Sequence, residues 1–264
     1  MHKTFKDVPF SILELALVNE NGDITTSLQN SSDLAQKAEN WGYYRFWLAE
    51  HHNMPGVASS ATSILIGYIA ANTNHIRVGS GGVMLPNHAP LIVAEQFGTL
   101  ESLYPGRIDL GIGRAPGTDQ ATAYALRRSM HLNEGETFPE MLAELMGYFK
   151  NNNAALVRAI PGTGLDIPIW LLGSSDYSAR LSASLGLPFS FASHFAPQYL
   201  HNALEIYRYH FQPSQYLQEP NAMVAVNIIA AETDKEANYL ATSLQQQFIH
   251  LAQGISAKFQ PPTD

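Results

Sequence analysis

An arginine follows a short apolar strand and opens a glycine-rich loop in the segment PGRIDLGIGRAPGTD. Gly111 and Gly113 remove side chains near the end of that strand, which allows a bound molecule to lie close to the backbone. Arg114 then offers a permanent cation with a planar fork suited to a phosphate or a carboxylate. The segment therefore predicts an anion-binding site, although a strand-to-helix turn with a structural arginine has the same pattern.

A second candidate anion site lies in the segment WLLGSSDYS. Gly173 frees the backbone, and the hydroxyls of Ser174, Ser175 and Ser178 lie at the start of a predicted helix whose N-terminal amides attract anions. A plain serine N-cap is the alternative for this segment alone. Because Arg114 ends the neighbouring predicted strand, the two segments together favour a phosphate. No P-loop lysine accompanies them, which argues against a nucleoside triphosphate.

Histidines gather near other predicted strand ends. His51 and His52 follow the second strand, while His88 and His194 lie close to the third and the sixth. A metal-dependent hydrolase would use His51, His88 and His194. Adjacent strand residues point to opposite faces, however, so His51 and His52 cannot both face the barrel axis. We predict no metal site and interpret histidine here as a proton donor or positioning group beside a cofactor. The predicted substrate pocket comprises Glu14, His52, His88 and His194.

Two glycines interrupt the third predicted strand in the sequence Ser80-Gly81-Gly82-Val83-Met84. A β-bulge is the simpler interpretation. The functional interpretation is a distorted backbone that lies against a flat ring system, with Met84 as adaptable packing.

The elements that must position these residues alternate between strand and helix along the chain. Seven predicted strands are each followed by a helix, which indicates a parallel sheet with crossover helices. The pattern predicts a (β/α)8 TIM-type barrel one unit short of closure, formed by residues 1–264 as a single domain. A doubly wound open sheet is the alternative, weakened by the absence of a dinucleotide fingerprint. Two local predictions are a first helix capped by Ser31 or Ser32 and a seventh strand over 222–231.

The amino-acid composition argues against some classes of binding partner. The net charge of −8 and the lack of basic runs argue against a nucleic-acid surface. Only 14% of residues are charged, which suggests that a partner subunit covers part of the surface. There is no cysteine, no apolar signal core and no long apolar stretch. These features predict a cytoplasmic protein without a membrane partner.

With these residues assembled, the chain resembles the bacterial luciferase-like monooxygenases, a family of flavin-dependent enzymes. The matching stretches are FWLAEHHNMPG, IRVGSGGVMLPNHAPLIVAEQFGTLESLYPGRIDLGIGRAPGTDQ and PIWLLGSSDYSARLSASLGLPFSFASHFAP. The resemblance extends over residues 10–235 and keeps the family's order and spacing.

The resemblance implies a barrel that binds FMN with its phosphate at the fourth and fifth strand ends. His51 matches the family's catalytic histidine, and Gly81-Gly82 matches a position where the family often has a non-prolyl cis peptide. Gly113 stands where light-emitting members carry cysteine, so luminescence is not expected. The residues assigned to the cofactor are Ser80, Gly81, Gly82, Arg114, Ser174, Ser175 and Ser178.

The resulting expectation is an FMN-dependent monooxygenase that uses reduced flavin and O₂ on a small organic substrate. A separate flavin reductase would supply the reduced FMN, and a deazaflavin coenzyme is the alternative cofactor. A non-catalytic flavin-binding protein of the same fold and a metal-dependent hydrolase are the alternative functions. A homodimer is expected because the alanine-rich second helix, Ser60 to Ala71, has an apolar outer face.

Relatives continue through an eighth strand and closing helices past the position that matches Asp264. We therefore expect either a gap between the first and seventh strands or further residues outside this chain.

Overall fold

A computed structural model of the chain describes residues 7–127, 134–152 and 154–264. The strands are β1 (Ser11–Glu14), β2 (Arg45–Leu48), β3 (Arg77–Ser80), β4 (Val83–Met84), β5 (Ile108–Gly113), β6 (Ile169–Gly173), β7 (Phe189–Phe191) and β8 (Ala222–Val224). The helices are α1 (Ile24–Asn40), α2 (Thr62–Ala71), α3 (Pro90–Leu103), α4 (Gln120–Arg127), α5 (Glu134–Phe149), α6 (Asp176–Leu185), α7 (Leu200–His210) and α8 (Asp234–Ala252).

All strands belong to one parallel sheet in the order β1-β2-β3-β5-β6-β7-β8. β4 continues the line of β3 after a two-glycine interruption and pairs with β5. The sheet therefore contains seven barrel positions, which confirms the predicted parallel α/β architecture. Within the described ranges β1 and β8 do not pair with each other, so the barrel is open between them.

The first helix begins earlier than predicted. Asp23 caps it by accepting a hydrogen bond from the amide of Thr26 at 2.8 Å. The predicted caps, Ser31 and Ser32, lie inside the helix and are buried instead. The serine cap prediction was wrong because these small side chains serve the close packing of α1 on the sheet.

The seventh barrel strand is shorter than predicted. β8 stops at Val224, where its partner strand β7 also ends at Phe191. One further backbone bond joins the amide of Ala225 to the carbonyl of Phe191. The prediction of a strand through residue 231 was wrong because, among the described residues, no strand lies beside residues 226–231 for pairing.

Alternation along β2 separates the two faces of the sheet. Phe46 and Leu48 pack in the hydrophobic core with residues of α1, α2 and α3. Trp47 lies on the other face, where its indole donates to the Asp109 carboxylate at 3.3 Å. Arg45 also reaches this carboxylate, so an ionic cluster fills the N-terminal part of the barrel interior. The C-terminal ends of the strands remain for the segments that carry the predicted site.

Candidate functional site

The peptide bond between Gly81 and Gly82 is cis, as the resemblance implies. A Cβ atom on Gly81 would lie 2.6 Å from Cδ1 of Leu13, and one on Gly82 would lie 2.8 Å from the carbonyl oxygen of Gly111. No side chain fits at either position without displacing a neighbour. The backbone itself therefore forms the surface between β3 and β4, and Gly81 is only partly buried.

Ser80 has a structural role that the sequence did not reveal. Its hydroxyl donates to the carbonyl of Gly111 at 2.8 Å and accepts from the amide of Gly111 at 2.9 Å. These bonds join β3 to β5 between the backbone pairs at Gly79 and Val83, where the regular ladder is interrupted. Ser80 is fully buried, and the hydrogen bonds of its hydroxyl join two strands, so its observed role is structural and its predicted contact with a cofactor gains no support.

Arg114 leaves the end of β5 and lies against the first turn of α6. Its guanidinium carbon is 4.2 Å from the centroid of the Tyr177 ring, within the range of a cation–π contact. No described carboxylate lies within ion-pair distance of this guanidinium. An arginine held in place without a counter-ion is suited to an anionic ligand.

Two serines lie at the start of α6, next to the end of β6. Ser175 is the N-cap residue, but its hydroxyl makes no capping bond to the helix amides. Both Ser174 and Ser175 remain partly exposed. Ser174 and Ser175 therefore lie at the N-terminal end of the helix whose Tyr177 ring contacts Arg114.

Ser178 is buried one turn further along α6 and packs against Gly173. A Cβ atom on Gly173 would come within 2.5 Å of the Ser178 Cβ atom. Gly173 thus allows the helix to approach the strand end closely.

His51 is held by the loop that follows β5. Its Nδ1 atom lies 3.2 Å from the carbonyl oxygen of Gly117, and its backbone amide donates to Ser59. A carbonyl only accepts, so Nδ1 carries the proton, and Nε2 of the neutral ring is an acceptor. Burial lowers the pKa of His51 below its usual value, which outweighs the opposing effects of Gly117 and Glu50. Burial therefore favours the neutral form of His51, in which Nε2 is the acceptor.

Glu50 organises this end of the barrel and was not singled out as a site residue. It is almost fully buried, and its carboxylate accepts from Nε2 of His52 at 2.9 Å and from Nε2 of His88 at 2.9 Å. The amide of Met84 donates to its second oxygen at 3.0 Å. Burial alone would raise the pKa of Glu50, but these bonds hold that pKa below its usual value. The only sequence feature that could have indicated this role is the position of Glu50 directly before two histidines.

His194 lies near His51 on the loop after β7. Burial lowers the pKa of His194, and the charge of a protonated His51 would lower it further. The Nδ1 atom of His194 is buried and makes no hydrogen bond within the described residues. His194 therefore lies near His51, and its place in a substrate pocket stays a prediction.

Glu14 is directed away from these groups. Its Oε1 atom accepts from the hydroxyl of Ser31 in α1 at 3.0 Å and from the amide of Ala16 at 2.7 Å. Glu14 follows Leu13, which faces the glycine backbone, so alternation turns the carboxylate toward the helix layer. The prediction that placed Glu14 in a substrate pocket gains no support from this position.

The metal alternative also lacks geometric support. No group of three histidine, aspartate or glutamate side chains in the described ranges is arranged to hold a metal ion. The proposed ligands are committed elsewhere, with His88 bonded to Glu50 and His51 to Gly117.

A cavity of about 330 Å³ lies away from this site. It is formed mainly by the loop that precedes β6, and therefore lies toward the N-terminal ends of the strands. Its lining comprises Ser102, Asn151, Arg158, Ala159, Ile160, Pro161, Gly162, Thr163 and Leu165.

The model of the family described as luciferase-like monooxygenase matches residues 10–261. The chain belongs to this family. It is 60% identical over 261 residues to the uncharacterised protein YvbT of Bacillus subtilis, covering 98% of the chain and 77% of the relative. It is 56% identical to the luciferase-like monooxygenase of Escherichia coli, again covering 98% of the chain and 77% of the relative.

Solved structures agree with this assignment. The crystal structure of apo-MsnO8 has a TM-score of 0.91 and 38% identity, covering 97% of the chain and 76% of MsnO8. Two more distant structures share the fold. One is the oxygenating constituent of 3,6-diketocamphane monooxygenase in complex with FMN, at 18% identity and a TM-score of 0.76 over 93% of this chain and 75% of that one. The other is an F420-dependent secondary alcohol dehydrogenase, at 16% identity and a TM-score of 0.62 over 81% and 68%.

Family membership makes the protein a flavin-type oxidoreductase of the monooxygenase class. No helix among the described residues is both long and apolar enough to cross a membrane.

Proposed function

We propose that the protein is an FMN-dependent monooxygenase that oxidises a small organic substrate. The observation that carries this proposal is the guanidinium of Arg114, which contacts the Tyr177 ring at the start of α6 and has no described carboxylate partner. Ser175, the N-cap residue of the same helix, has a hydroxyl that makes no capping bond. A phosphate supplies the missing charge and accepts from both groups. FMN has such a phosphate and a flat ring of the kind that the glycine backbone at residues 81 and 82 accommodates.

The residues present fit this cofactor. Arg114, Ser174 and Ser175 would hold the phosphate, and Ser178 would support them through its contact with Gly173. The side-chain-free backbone at Gly81 would leave room for the flat ring. Bound reduced FMN would supply the electrons for O₂ activation. A deazaflavin coenzyme is the second candidate, supported by the F420-dependent enzyme that shares the fold.

His51 is the proposed catalytic residue. Its proton on Nδ1 is fixed by the carbonyl of Gly117, and its Nε2 lone pair is free to take a proton from the reacting groups. Burial favours the neutral ring, so the base is ready at neutral pH. His194 lies close enough to His51 for the charge of one ring to lower the pKa of the other. We place His194 on the side of the site where the substrate binds.

A homodimer completes the proposal. Ile64 in α2 is 72% exposed and Leu103 in α3 is 63% exposed, and Tyr68 and Ile92 extend the same two neighbouring helices. Covering these side chains with a second copy removes apolar surface from water. Sedimentation tests the pairing, since a monomer alone at micromolar concentration contradicts it.

The source of reduced FMN is a separate flavin reductase, and the compartment is the cytoplasm.

Oxygen labelling tests the proposed activity. The protein, reduced FMN and ¹⁸O₂ are mixed with small aldehydes, ketones and thioethers, while hydrogen peroxide release is measured in parallel. The proposal expects one labelled oxygen atom in the product of at least one probe. If all the oxygen consumed is released as peroxide with every probe, the non-catalytic flavin-binding alternative replaces it.

A further inference from the structure

The end of β2 and the strand that follows the cis peptide are joined through one side chain. Glu50 accepts from the backbone amide of Met84 in β4 at 3.0 Å, two residues after Gly82. The same carboxylate accepts from the imidazoles of His52 and His88. Asn87 adds a fourth donor at 3.3 Å. All four donors come from segments that border the glycine backbone.

We propose that Glu50 is a positioning residue that fixes the glycine backbone under the flavin ring and keeps His52 and His88 protonated on Nε2. This inference rests on the proposed flavin site. Glu50 itself needs no contact with flavin, because it acts through Met84 and the two histidines.

The four donors around Glu50 share its two acceptor oxygens, because an ionised carboxylate has no donor of its own. Oε1 accepts from His52 and Asn87, Oε2 accepts from the Met84 amide, and Nε2 of His88 lies within hydrogen-bond distance of both oxygens. A buried carboxylate with this many donors is stable only while all of them point toward it. Its charge therefore fixes the tautomer of each ring and the path of β4 together.

Glu50→Gln separates this role from simple packing. The amide has nearly the same shape but only one acceptor, so an N–H group must face either Met84 or the imidazoles. The glycine backbone then loses its anchor, or the two rings lose their acceptor. We expect FMN and riboflavin to bind about tenfold more weakly, with similar factors for both because the phosphate site is untouched.

A matched control exists at the other end of the sheet. Glu39 is also a carboxylate that accepts from several backbone amides, those of Asn74, His75 and Ile76 before β3. Glu39→Gln makes the same chemical change far from the glycine backbone. It should leave both flavin affinities unchanged while lowering thermal stability.

The experiment combines flavin titration with NMR of ¹⁵N-labelled histidine in the full chain without ligand. His52→Gln and His88→Gln variants assign the two ring signals. We expect both rings to carry the proton on Nε2 in the parent protein, and a change in at least one of them in Glu50→Gln.

Unchanged rings together with unchanged riboflavin affinity overturn the proposal, as does an Nδ1 proton on both rings of the parent protein. Should Glu50→Gln not fold, the NMR of the parent protein still decides the tautomers. The glutamine of His88→Gln can donate to Glu50, whereas the alanine of His88→Ala cannot. Weaker riboflavin binding by His88→Ala than by His88→Gln supports the positioning role of Glu50, and equal affinities contradict it. If the parent protein binds neither flavin, the proposed function fails instead.

Discussion

Two buried carboxylates lie at opposite ends of the same barrel, and their partners differ. Asp109 is fully buried toward the N-terminal end and forms ion pairs with Arg45 at 2.8 Å and Arg77 at 2.7 Å. Glu50 is equally buried toward the C-terminal end, but its partners are the imidazoles of His52 and His88. Guanidinium groups remain charged at all relevant pH values, whereas imidazoles change charge or tautomer near neutrality.

This difference distinguishes the end of the barrel around Asp109, which stabilises the fold, from the end around Glu50, where the predicted site residues lie. Permanent charges around Asp109 give an ion cluster that stabilises one arrangement of strands. The imidazoles around Glu50 form a hydrogen-bonded network with its carboxylate at the end of the barrel that carries the predicted site residues. In barrels of this type, the C-terminal ends of strands carry the active site and the other end contributes to stability.

The largest expected effect is on stability at the Asp109 end. Asp109→Asn leaves two poorly solvated guanidinium groups without a full counter-charge and should lower the free energy of unfolding by about 3–5 kcal/mol. Urea unfolding measures it. Asp33→Asn removes an exposed ion pair with Lys37 and serves as the control, with an expected loss below about 1 kcal/mol. Equal small losses in both variants would show that the Asp109 cluster does not lock the sheet.

At the other end, the expected effect is on turnover rather than on stability. His51→Ala should lower substrate oxidation by about 10²-fold, the usual scale for a lost acid–base group, and leave FMN affinity within several-fold. His201→Ala, on the exposed side of α7, should leave turnover unchanged. Normal turnover in His51→Ala would remove this residue from the catalytic assignment.

A smaller effect concerns pH. The pKa of His51 is lowered by burial, so its contribution to stability is complete above about pH 6.5, the usual value, and is lost as the pH falls through the lowered pKa. His51→Gln should therefore lose less stability than the parent protein between pH 7 and pH 5. Urea unfolding at both pH values tests this. Parallel losses in the two proteins would contradict the depressed pKa.

The smallest effect is expected at Glu14, outside both clusters. Burial raises the pKa of Glu14, so its effect on stability is most favourable below its usual value of 4.5 and is lost as the pH rises through the raised pKa. Both of its hydrogen bonds fall on Oε1, which a glutamine oxygen reproduces. Glu14→Gln should be slightly more stable than the parent at pH 7 and equal to it at low pH. Thermal unfolding that shows a loss at pH 7 would contradict this.

Strand order and helix positions could be predicted because they follow from local patterns. The start of α3 is an example, since Pro90 at its first position has the fixed backbone angle that suits the beginning of a helix. The cis peptide bond at Gly81-Gly82 was predictable from the resemblance, whereas the phosphate site at the Arg114 loop stays a prediction. These glycines must lie where no side chain fits, and that requirement is visible in sequence.

Side-chain partners across the fold were not predictable in the same way. Ser80 has a hydroxyl that could bind a ligand, yet this hydroxyl forms hydrogen bonds that join β3 to β5. Glu50 was passed over because its role depends on donors from residues 52, 84, 87 and 88, which only the folded chain brings together. The direction of Glu14 required the register of β1, which a mixed apolar segment does not define.

Titration of FMN and riboflavin into the Arg114→Ala variant tests the central claim most directly. The two ligands share the ring and the ribityl chain and differ in the phosphate, so their affinity ratio isolates the phosphate site. Arg180→Ala, an exposed arginine of α6 beside Asp176, is the matched control and should leave the ratio unchanged. We expect Arg114→Ala to weaken FMN by at least about tenfold and riboflavin hardly at all, as the loss of a charge-assisted contact requires. Equal losses for both ligands would show that the phosphate does not bind at the ends of β5 and β6.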